Sequence, residues 1–211
     1  MIKNIIFDLG GVIYNINYYN IAATFKKFGF HDFDQKYSQE YQTDGIDLFE
    51  EGKISIPEFR HYIRSLTNVT LSDEEIDQAW NSIMIDIPKH RIELLKEVKQ
   101  HYNIFLFSNT NALNYQKFYP EMEKKFGFDI FTQLFQKSFF SHLIHLRKPK
   151  VESFEFIIHN LQLNAPETLF IDDTQRHVEG AIQAGLNAFL LPKNQDITTL
   201  FTKGVLNHHL I

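Results

Sequence analysis

The chain has 211 residues, of which 44% are hydrophobic, and its formal net charge is -5. This length suits one large domain, or a core domain with a smaller insert. The acidic balance excludes a broad surface for nucleic acid or for an anionic membrane, and the absence of cysteine excludes disulfides, thiolate metal sites and a cysteine nucleophile.

Hydropathy and the N-terminal residues predict a cytoplasmic protein. No apolar run approaches the roughly 18 residues that a membrane helix needs, so we expect no membrane partner. The chain passes into an apolar strand without a basic leader or a cleavage site. The 21 Phe and 9 Tyr residues would serve either the core or an interface between copies, which leaves a monomer and a homodimer open.

The first predicted element is a buried strand that ends in a carboxylate and two glycines. The apolar run Ile5-Ile6-Phe7 is followed by Asp8, and Gly10 and Gly11 then allow a sharp turn. A lone acid in this place is either a cap of a helix or turn, or a functional group at the edge of a sheet.

The next block, from about residue 15 to residue 87, is predicted to be helical throughout. Ser55 and Glu58 form a capping box with a proline in the first turn, and Ser72 and Glu75 form a second box. No convincing strand is expected in this block, and Pro88 is the plausible point of return to the sheet.

After Pro88, strands and helices alternate. Strands are predicted at residues 104–107, 169–171 and 188–191, and helices around residues 92–98, 151–161 and 178–184. The apolar stretch from 130 to 135 fits a strand or a helix equally well. This alternation indicates an α/β fold, with a parallel sheet covered by helices on both faces.

Polar residues follow several of these strands. They are Asp8, Ser108-Asn109, Arg147-Lys148-Pro149 and Asp172-Asp173. Each of them alone has an ordinary explanation as a cap, a turn or a solvated surface charge. Because ligands of open α/β sheets bind outside the carboxyl ends of the strands, we expect these side chains to meet in one crevice.

The order and spacing of these four motifs resemble the haloacid dehalogenase-like superfamily. The resemblance implies a Rossmann-like parallel sheet formed by residues 1–14 and 88–211, with an inserted helical cap formed by residues 15–87. It also implies that Asp8 is a nucleophile that forms an aspartyl-phosphate, in a phosphatase of small phosphorylated metabolites.

Phosphoryl transfer requires fixed positive charge around the phosphoryl oxygens. Mg²⁺ suits a carboxylate nucleophile because it takes oxygen ligands. The family resemblance assigns the metal to Asp8, the backbone carbonyl of Gly10 and Asp173. Lys148 would neutralise phosphoryl oxygens and keep Asp8 ionised. Ser108 and the amide of Asn109 would bind another phosphoryl oxygen, helped if a helix begins there.

Gly10 departs from the family pattern. At this position most family phosphatases have a second aspartate, which protonates the leaving alkoxide. Gly10 has no side chain that can donate a proton. A subgroup of sugar-phosphate phosphatases, of the glucose-1-phosphate type, also reads Asp-Leu-Gly at this point. Asp172 is a candidate to take over part of the acid-base role, because it is adjacent to the metal acid. Tyr14 is a candidate substrate contact, with packing between cap and core as the equal alternative.

Two other functions stay open at this point. A 2-haloacid dehalogenase has the same fold and also lacks the second aspartate, but relatives of that kind lack an acid at the position of Asp173. A non-catalytic binding or regulatory protein would be compatible with Gly10, whereas the retention of Asp8, Lys148 and Asp173 favours a phosphatase.

Overall fold

The structure is a computed structural model, which describes residues 1–37 and 44–207. Its strands are β1 (Asn4–Phe7), β2 (Asn15–Ile16), β3 (Met84–Asp86), β4 (Asn103–Ser108), β5 (Lys137–Phe140), β6 (Thr168–Asp172), β7 (Asn187–Leu190), β8 (Phe201–Thr202) and β9 (Val205–Leu206). Its α-helices are α1 (Tyr18–Lys27), α2 (Asp44–Glu50), α3 (Ile56–Ser65), α4 (Asp73–Asn81), α5 (Lys89–Val98), α6 (Ala112–Phe126), α7 (Ile130–Gln133), α8 (Ser141–Ile144), α9 (Val151–Leu161) and α10 (Gln175–Gln183).

A parallel sheet in the order β5-β4-β1-β6-β7 forms the centre of the protein, which confirms the predicted α/β fold. The chain runs from β1 to β4 and β5 on one side, and then to β6 and β7 on the other. Residue Phe7 of β1 is in register with Leu106 of β4 and Ile171 of β6. The connections therefore change sides at β1, where open α/β sheets bind their ligands.

Successive residues of the central strands face opposite sides of the sheet. Ile5 and Phe7 of β1 belong to one hydrophobic cluster, whereas Ile6 belongs to another on the opposite face. The same alternation occurs in β4 and β6. Both faces are covered because the side chains of a strand alternate with a period of two residues.

The inserted block has a hydrophobic cluster that also includes Leu113 of α6. Its buried side chains include Phe25, Phe33, Phe49, Phe59 and Trp80, each at most 1% exposed. Both capping boxes are present, at the starts of α3 and α4, as predicted. Many of the aromatic residues thus lie in the hydrophobic cores.

The expectation of a block without strands is wrong at its two ends. Strands β2 and β3 pair antiparallel, and Asn15 Nδ2 donates a hydrogen bond of 2.9 Å to Asp86 Oδ1. Elements of two and three residues are too short to leave a periodic pattern in the sequence. We propose that this ribbon joins a core of residues 1–14 and 88–211 to a cap of residues 15–87, of which residues 38–43 lie outside the described part.

The ambiguous stretch at 130–135 contains the short helix α7, and the edge strand β5 follows it. Asp129 caps this helix by accepting hydrogen bonds from the backbone N–H groups of Phe131 and Thr132. The cap stabilises the helical conformation at the start of the apolar run. In the described residues, helices that combine the length and the apolar character needed to span a bilayer are absent.

Candidate active site

The predicted site residues meet at the carboxyl edge of the sheet. Asp8 directly follows β1, Ser108 is the last residue of β4, and Asp172 is the last residue of β6. Since β4 and β6 flank β1, the side chains at their ends lie on either side of Asp8. The backbone N–H of Asp8 donates to the carbonyl of Ile171 at 2.9 Å, which extends the ladder to this point.

Lys148 enters the site from the loop between α8 and α9 and is fully buried. Its Nζ lies 2.6 Å from Asp8 Oδ1 and 2.7 Å from Asp172 Oδ2. Burial acts to lower the pKa of Lys148, but the charges of Asp172 and Asp8 outweigh it and raise this pKa. The lysine is therefore charged, and two of its three N–H donors are engaged by carboxylates.

Asn109 holds the lysine loop in place. Its Nδ2 donates to the carbonyl of Lys148 at 2.9 Å, and its Oδ1 accepts from the Lys148 N–H at 3.0 Å. A helix that begins at Asn109 would help its amide bind a phosphoryl oxygen. The structure has no helix start there, because α6 begins at Ala112 with Asn111 as its N-cap. The side chain of Asn109 thus positions Lys148.

Asp172 is fully buried, and both of its oxygens are engaged. Besides the Lys148 contact, it accepts from the Thr174 N–H at 2.8 Å and lies 3.1 Å from His177 Nδ1. Although burial acts to raise the pKa of Asp172, Lys148 and His177 hold it below the usual range. Burial lowers the pKa of His177, so at neutral pH the imidazole is uncharged and Lys148 supplies the positive charge.

This geometry weighs against an acid-base role for Asp172. A general acid must hold a proton near neutral pH. The oxygens of Asp172 instead accept from Lys148 and Thr174 and lie near His177, and its pKa is held below the usual range. Its position indicates that it orients Lys148.

Asp173 lies directly over the glycine turn that follows β1. A Cβ atom on Gly11 would stand 2.2 Å from Asp173 Oδ2, and Gly11 has a φ of 79°. Only glycine satisfies both conditions, because other residues rarely adopt a positive φ. The Gly10-Gly11 turn therefore makes room for the second acid of the pair to approach Asp8.

Asp8, Asp172 and Asp173 each offer an oxygen within 4.8 Å of the others. Burial raises the pKa of Asp8, and Asp172 and Asp173 raise it further, although Lys148 opposes them. Lys148 therefore favours the ionised form of Asp8, as predicted, while burial and the two neighbouring acids act against it. A buried group of carboxylates with excess negative charge and oxygen ligands fits Mg²⁺, which would supply the missing positive charge.

A cavity of about 80 Å³ lies between this edge and the inserted block. Since one water requires roughly 10–15 Å³ in the same measure, it has room for several small groups. Ser108 lines it, and the Ser108 hydroxyl makes a long contact of 3.4 Å to the Asn109 carbonyl. Tyr14 also lines it and packs edge-on against Phe118, with centroids 6.0 Å apart, so both of its predicted roles are compatible with its place.

The cavity is also lined by residues that the sequence did not identify as site residues, Glu50 and Trp80 among them. Helical periodicity alone gave Glu50 and Trp80 no distinction from the other residues of the block, so they were not found from the sequence.

Comparisons with known proteins agree with this geometry. A family model of haloacid dehalogenase-like hydrolases matches residues 2–185. The chain is 31% identical to a D-ribitol-5-phosphate phosphatase of Bacteroides thetaiotaomicron, over 90% of this chain and 91% of that protein. It is 27% identical to a sesquiterpene phosphatase of Aspergillus oryzae, over 87% of each chain.

A solved structure from Bacteroides thetaiotaomicron is similar over nearly the whole chain. It is a haloacid dehalogenase family enzyme, an aspartate-to-alanine variant in complex with magnesium and inorganic phosphate. Its TM-score is 0.89 at 30% identity, and the match covers 96% of this chain and all of that one.

Proposed function

The chain belongs to the haloacid dehalogenase-like hydrolases, and from this premise we propose that it is a Mg²⁺-dependent phosphatase of small phosphorylated metabolites that reacts through an aspartyl-phosphate on Asp8. Two of the relatives are phosphatases, one for a polyol phosphate and one for a sesquiterpene. The relative with bound magnesium and phosphate supports the same chemistry for this fold.

One observation carries the proposal. Asp8 stands at the centre of the sheet edge, in contact with a buried lysine at 2.6 Å and beside Asp172 and Asp173. A nucleophilic carboxylate, a fixed cation and further oxygen ligands are the groups that phosphoryl transfer to an acid requires. A haloacid dehalogenase is disfavoured, because Asp173 adds negative charge where such an enzyme would bind its carboxylate substrate.

We assign the first chemical step to Asp8. One of its carboxylate oxygens attacks phosphorus, the bond between phosphorus and the leaving oxygen breaks, and the phosphoryl group remains on Asp8. The third N–H of Lys148 and the hydroxyl of Ser108 donate to the phosphoryl oxygens. Water then attacks phosphorus, which releases inorganic phosphate and restores the carboxylate.

We assign the metal to Asp8, the Gly10 carbonyl and Asp173. When bound, Mg²⁺ neutralises the negative charge that would otherwise keep a phosphate away from these carboxylates. Asp172, whose oxygens bind Lys148 and Thr174, contributes by orienting Lys148. Tyr14 closes the side of the cavity towards Phe118, where we place part of the substrate.

The proposed function is tested by p-nitrophenyl phosphate hydrolysis with Mg²⁺ and with EDTA. We expect turnover that disappears with EDTA and returns with added Mg²⁺. The aryl leaving group needs little protonation, so Gly10 does not hide the activity. Absence of turnover in a protein that binds Mg²⁺ would instead favour the non-catalytic alternative.

Replacing Asp173 with asparagine is expected to weaken Mg²⁺ binding at least about 10-fold, since loss of supporting groups alone typically reduces metal affinity by 10 to 100-fold. An amide keeps one oxygen but removes the charge over the Gly11 turn. The measurement is the Mg²⁺ concentration that gives half-maximal hydrolysis, together with the Mg²⁺-induced rise in Tm. An unchanged half-maximal concentration would exclude Asp173 as a ligand.

The absence of an acid at Gly10 predicts a strong preference for good leaving groups. We expect kcat/KM for p-nitrophenyl phosphate to exceed kcat/KM for an alkyl phosphate. Gly10→Asp is expected to reduce the ratio of these two kcat/KM values by roughly 10²-fold, the lower end of the effect of general acid catalysis. A Cβ at this position would meet Ile16 Cδ1 at 2.9 Å, the end of a flexible side chain that can move. A ratio that does not change would show that protonation of the leaving group does not limit the rate.

A further inference from the structure

The cavity beside Asp8 is also lined by a buried acid that the proposed chemistry does not use. Glu50 is the last residue of α2, is 7% exposed, and lines the same cavity as Asp8 and Ser108. The carbonyl of Glu50 accepts a hydrogen bond of 2.6 Å from Ser141 Oγ, which follows β5 of the core. This contact fixes the end of α2 against the edge of the sheet.

Arg147 holds the Glu50 carboxylate in place. The Arg147 Nη2 atom lies 2.7 Å from Glu50 Oε2, which forms a buried ion pair. Arg147 is 3% exposed, also pairs with Asp47, and directly precedes Lys148. Burial raises the pKa of Glu50 and Arg147 opposes it. The arginine therefore connects an acid of the inserted block to the loop that positions the catalytic lysine.

Within residues 1–37 and 44–207, Trp80 Nε1, a donor on a side chain that is 1% exposed, has no hydrogen-bond partner. Glu50 Oε2, an acceptor, has the ion pair with Arg147. Both residues line the cavity. Buried polar groups are nearly always paired in proteins, and a carboxylate with one ion pair can accept further hydrogen bonds. An unpaired donor and a carboxylate with accepting capacity at one cavity therefore indicate a ligand that offers both an acceptor and a donor.

A hydroxyl group is the simplest ligand group that donates to a carboxylate and accepts from an indole N–H. A hydrocarbon chain would remove water from Glu50 and Trp80 without replacing any hydrogen bond, which is unfavourable. Tyr18 lines the same cavity as Glu50 and Asp8. Because Glu50 and Asp8 both line this one cavity, a single small molecule can contact both.

We propose that Glu50, positioned by Arg147, forms with Trp80 a hydroxyl-binding subsite that selects polyhydroxylated phosphate monoesters over apolar ones. This inference rests on the proposed phosphatase function for the location of the phosphate. The phosphoryl group lies at Asp8, and the hydroxyl-bearing end extends towards α2 and α4. Sites that hydrogen-bond a substrate hydroxyl can reject the analogue that lacks it by as much as about 10⁴–10⁵-fold.

The test compares a pentitol 5-phosphate with pentyl phosphate, which has the same number of carbons and no hydroxyls. We expect the wild-type protein to prefer the pentitol ester at least about 10²-fold in kcat/KM, well within the range for such sites. Glu50→Gln is expected to reduce this preference at least about 10-fold, mainly through the KM of the pentitol ester. Trp80→Phe keeps the ring, removes the donor and is expected to act in the same direction by a smaller factor.

Asp47→Asn is the matched control. Asp47 pairs with the same arginine but does not line the cavity, so we expect this variant to keep the wild-type preference. Equal losses on both substrates in Glu50→Gln and Trp80→Phe would mean a structural role and would overturn the subsite. A preference that survives both substitutions would overturn it as well.

Equilibrium binding separates this inference from the proposed function. Calorimetric titration of the two esters into Asp8→Asn protein with Mg²⁺, with and without Glu50→Gln, needs no turnover. The subsite predicts tighter binding of the pentitol ester and a loss of that difference with Glu50→Gln. If the wild-type protein hydrolyses no phosphate ester but this binding difference is found, the phosphatase proposal fails and the subsite stands. If hydrolysis occurs without the difference, the subsite alone fails.

Discussion

Replacing Asp8 with asparagine is expected to lower kcat for p-nitrophenyl phosphate by about 10⁴-fold or more, the range seen when an essential nucleophile is removed. The amide has nearly the shape of the carboxylate but is a far weaker nucleophile, so no phosphoryl-enzyme forms. Lys148 remains held by Asp172, at 2.7 Å. The measurement is single-turnover kinetics, with a search for a phosphoryl group on the Asp8 peptide of acid-quenched wild-type protein.

The same substitution provides its own control for folding. Burial, Asp172 and Asp173 raise the pKa of Asp8, so its ionised form destabilises the metal-free folded state. Asparagine removes this charge, and we expect a free energy of unfolding, without Mg²⁺, that is no lower than that of the wild-type protein. Residual turnover within 100-fold of wild type, or phosphate found on another residue, would show that Asp8 is not the nucleophile.

Replacing Lys148 with methionine is expected to abolish hydrolysis and to lower the free energy of unfolding by about 3–5 kcal/mol, the usual effect of breaking a buried ion pair. Methionine preserves much of the aliphatic part of the Lys148 side chain and removes only the charged end. In the wild-type protein the Lys148 Nζ lies 5.4 Å from the centroid of Phe107 and 5.3 Å from that of Phe170. The loss therefore reports on charge, because Asp8 and Asp172 remain buried without their shared cation. Urea unfolding measures this change in the free energy of unfolding.

Mg²⁺ should recover part of the stability lost in Lys148→Met, because it neutralises the same group of carboxylates. Lys150→Met is the matched control, two residues further along the loop. The Lys150 side chain is 45% exposed, and its partner Glu51 keeps a second lysine, Lys53, at 2.6 Å. We expect this control to change stability by less than about 1 kcal/mol. Equal losses in both variants would contradict the central role assigned to Lys148.

Much of the fold follows from patterns within short segments. The continuous apolar runs in β1, β4 and β6 indicate strands that are buried on both faces, and the two serine capping boxes mark the starts of α3 and α4. The polar residues at the strand ends could be placed at one edge for the same reason, since parallel strands end at a common edge. Each of these features depends on neighbours within a few residues.

Elements whose stability comes from distant partners could not be predicted in this way. Strands β2 and β3 are short and exist because residues near 15 pair with residues near 85. Edge strand β5 was likewise missed, because its pairing with β4 rather than a local pattern defines it. The stretch at 130–135 was decided by the Asp129 cap and by packing in the core.

By itself, the sequence determined which residues of this protein carry charge and nucleophilicity, and that the chain alternates strands with helices, because composition and periodicity are local properties. Only the tertiary structure decided what these groups do. Asp172 orients Lys148, Asn109 holds its loop, and Glu50 reaches the cavity. The physical reason is that pKa values and hydrogen-bond partners depend on burial and on charges from segments far apart in the chain, which become neighbours only when the protein folds.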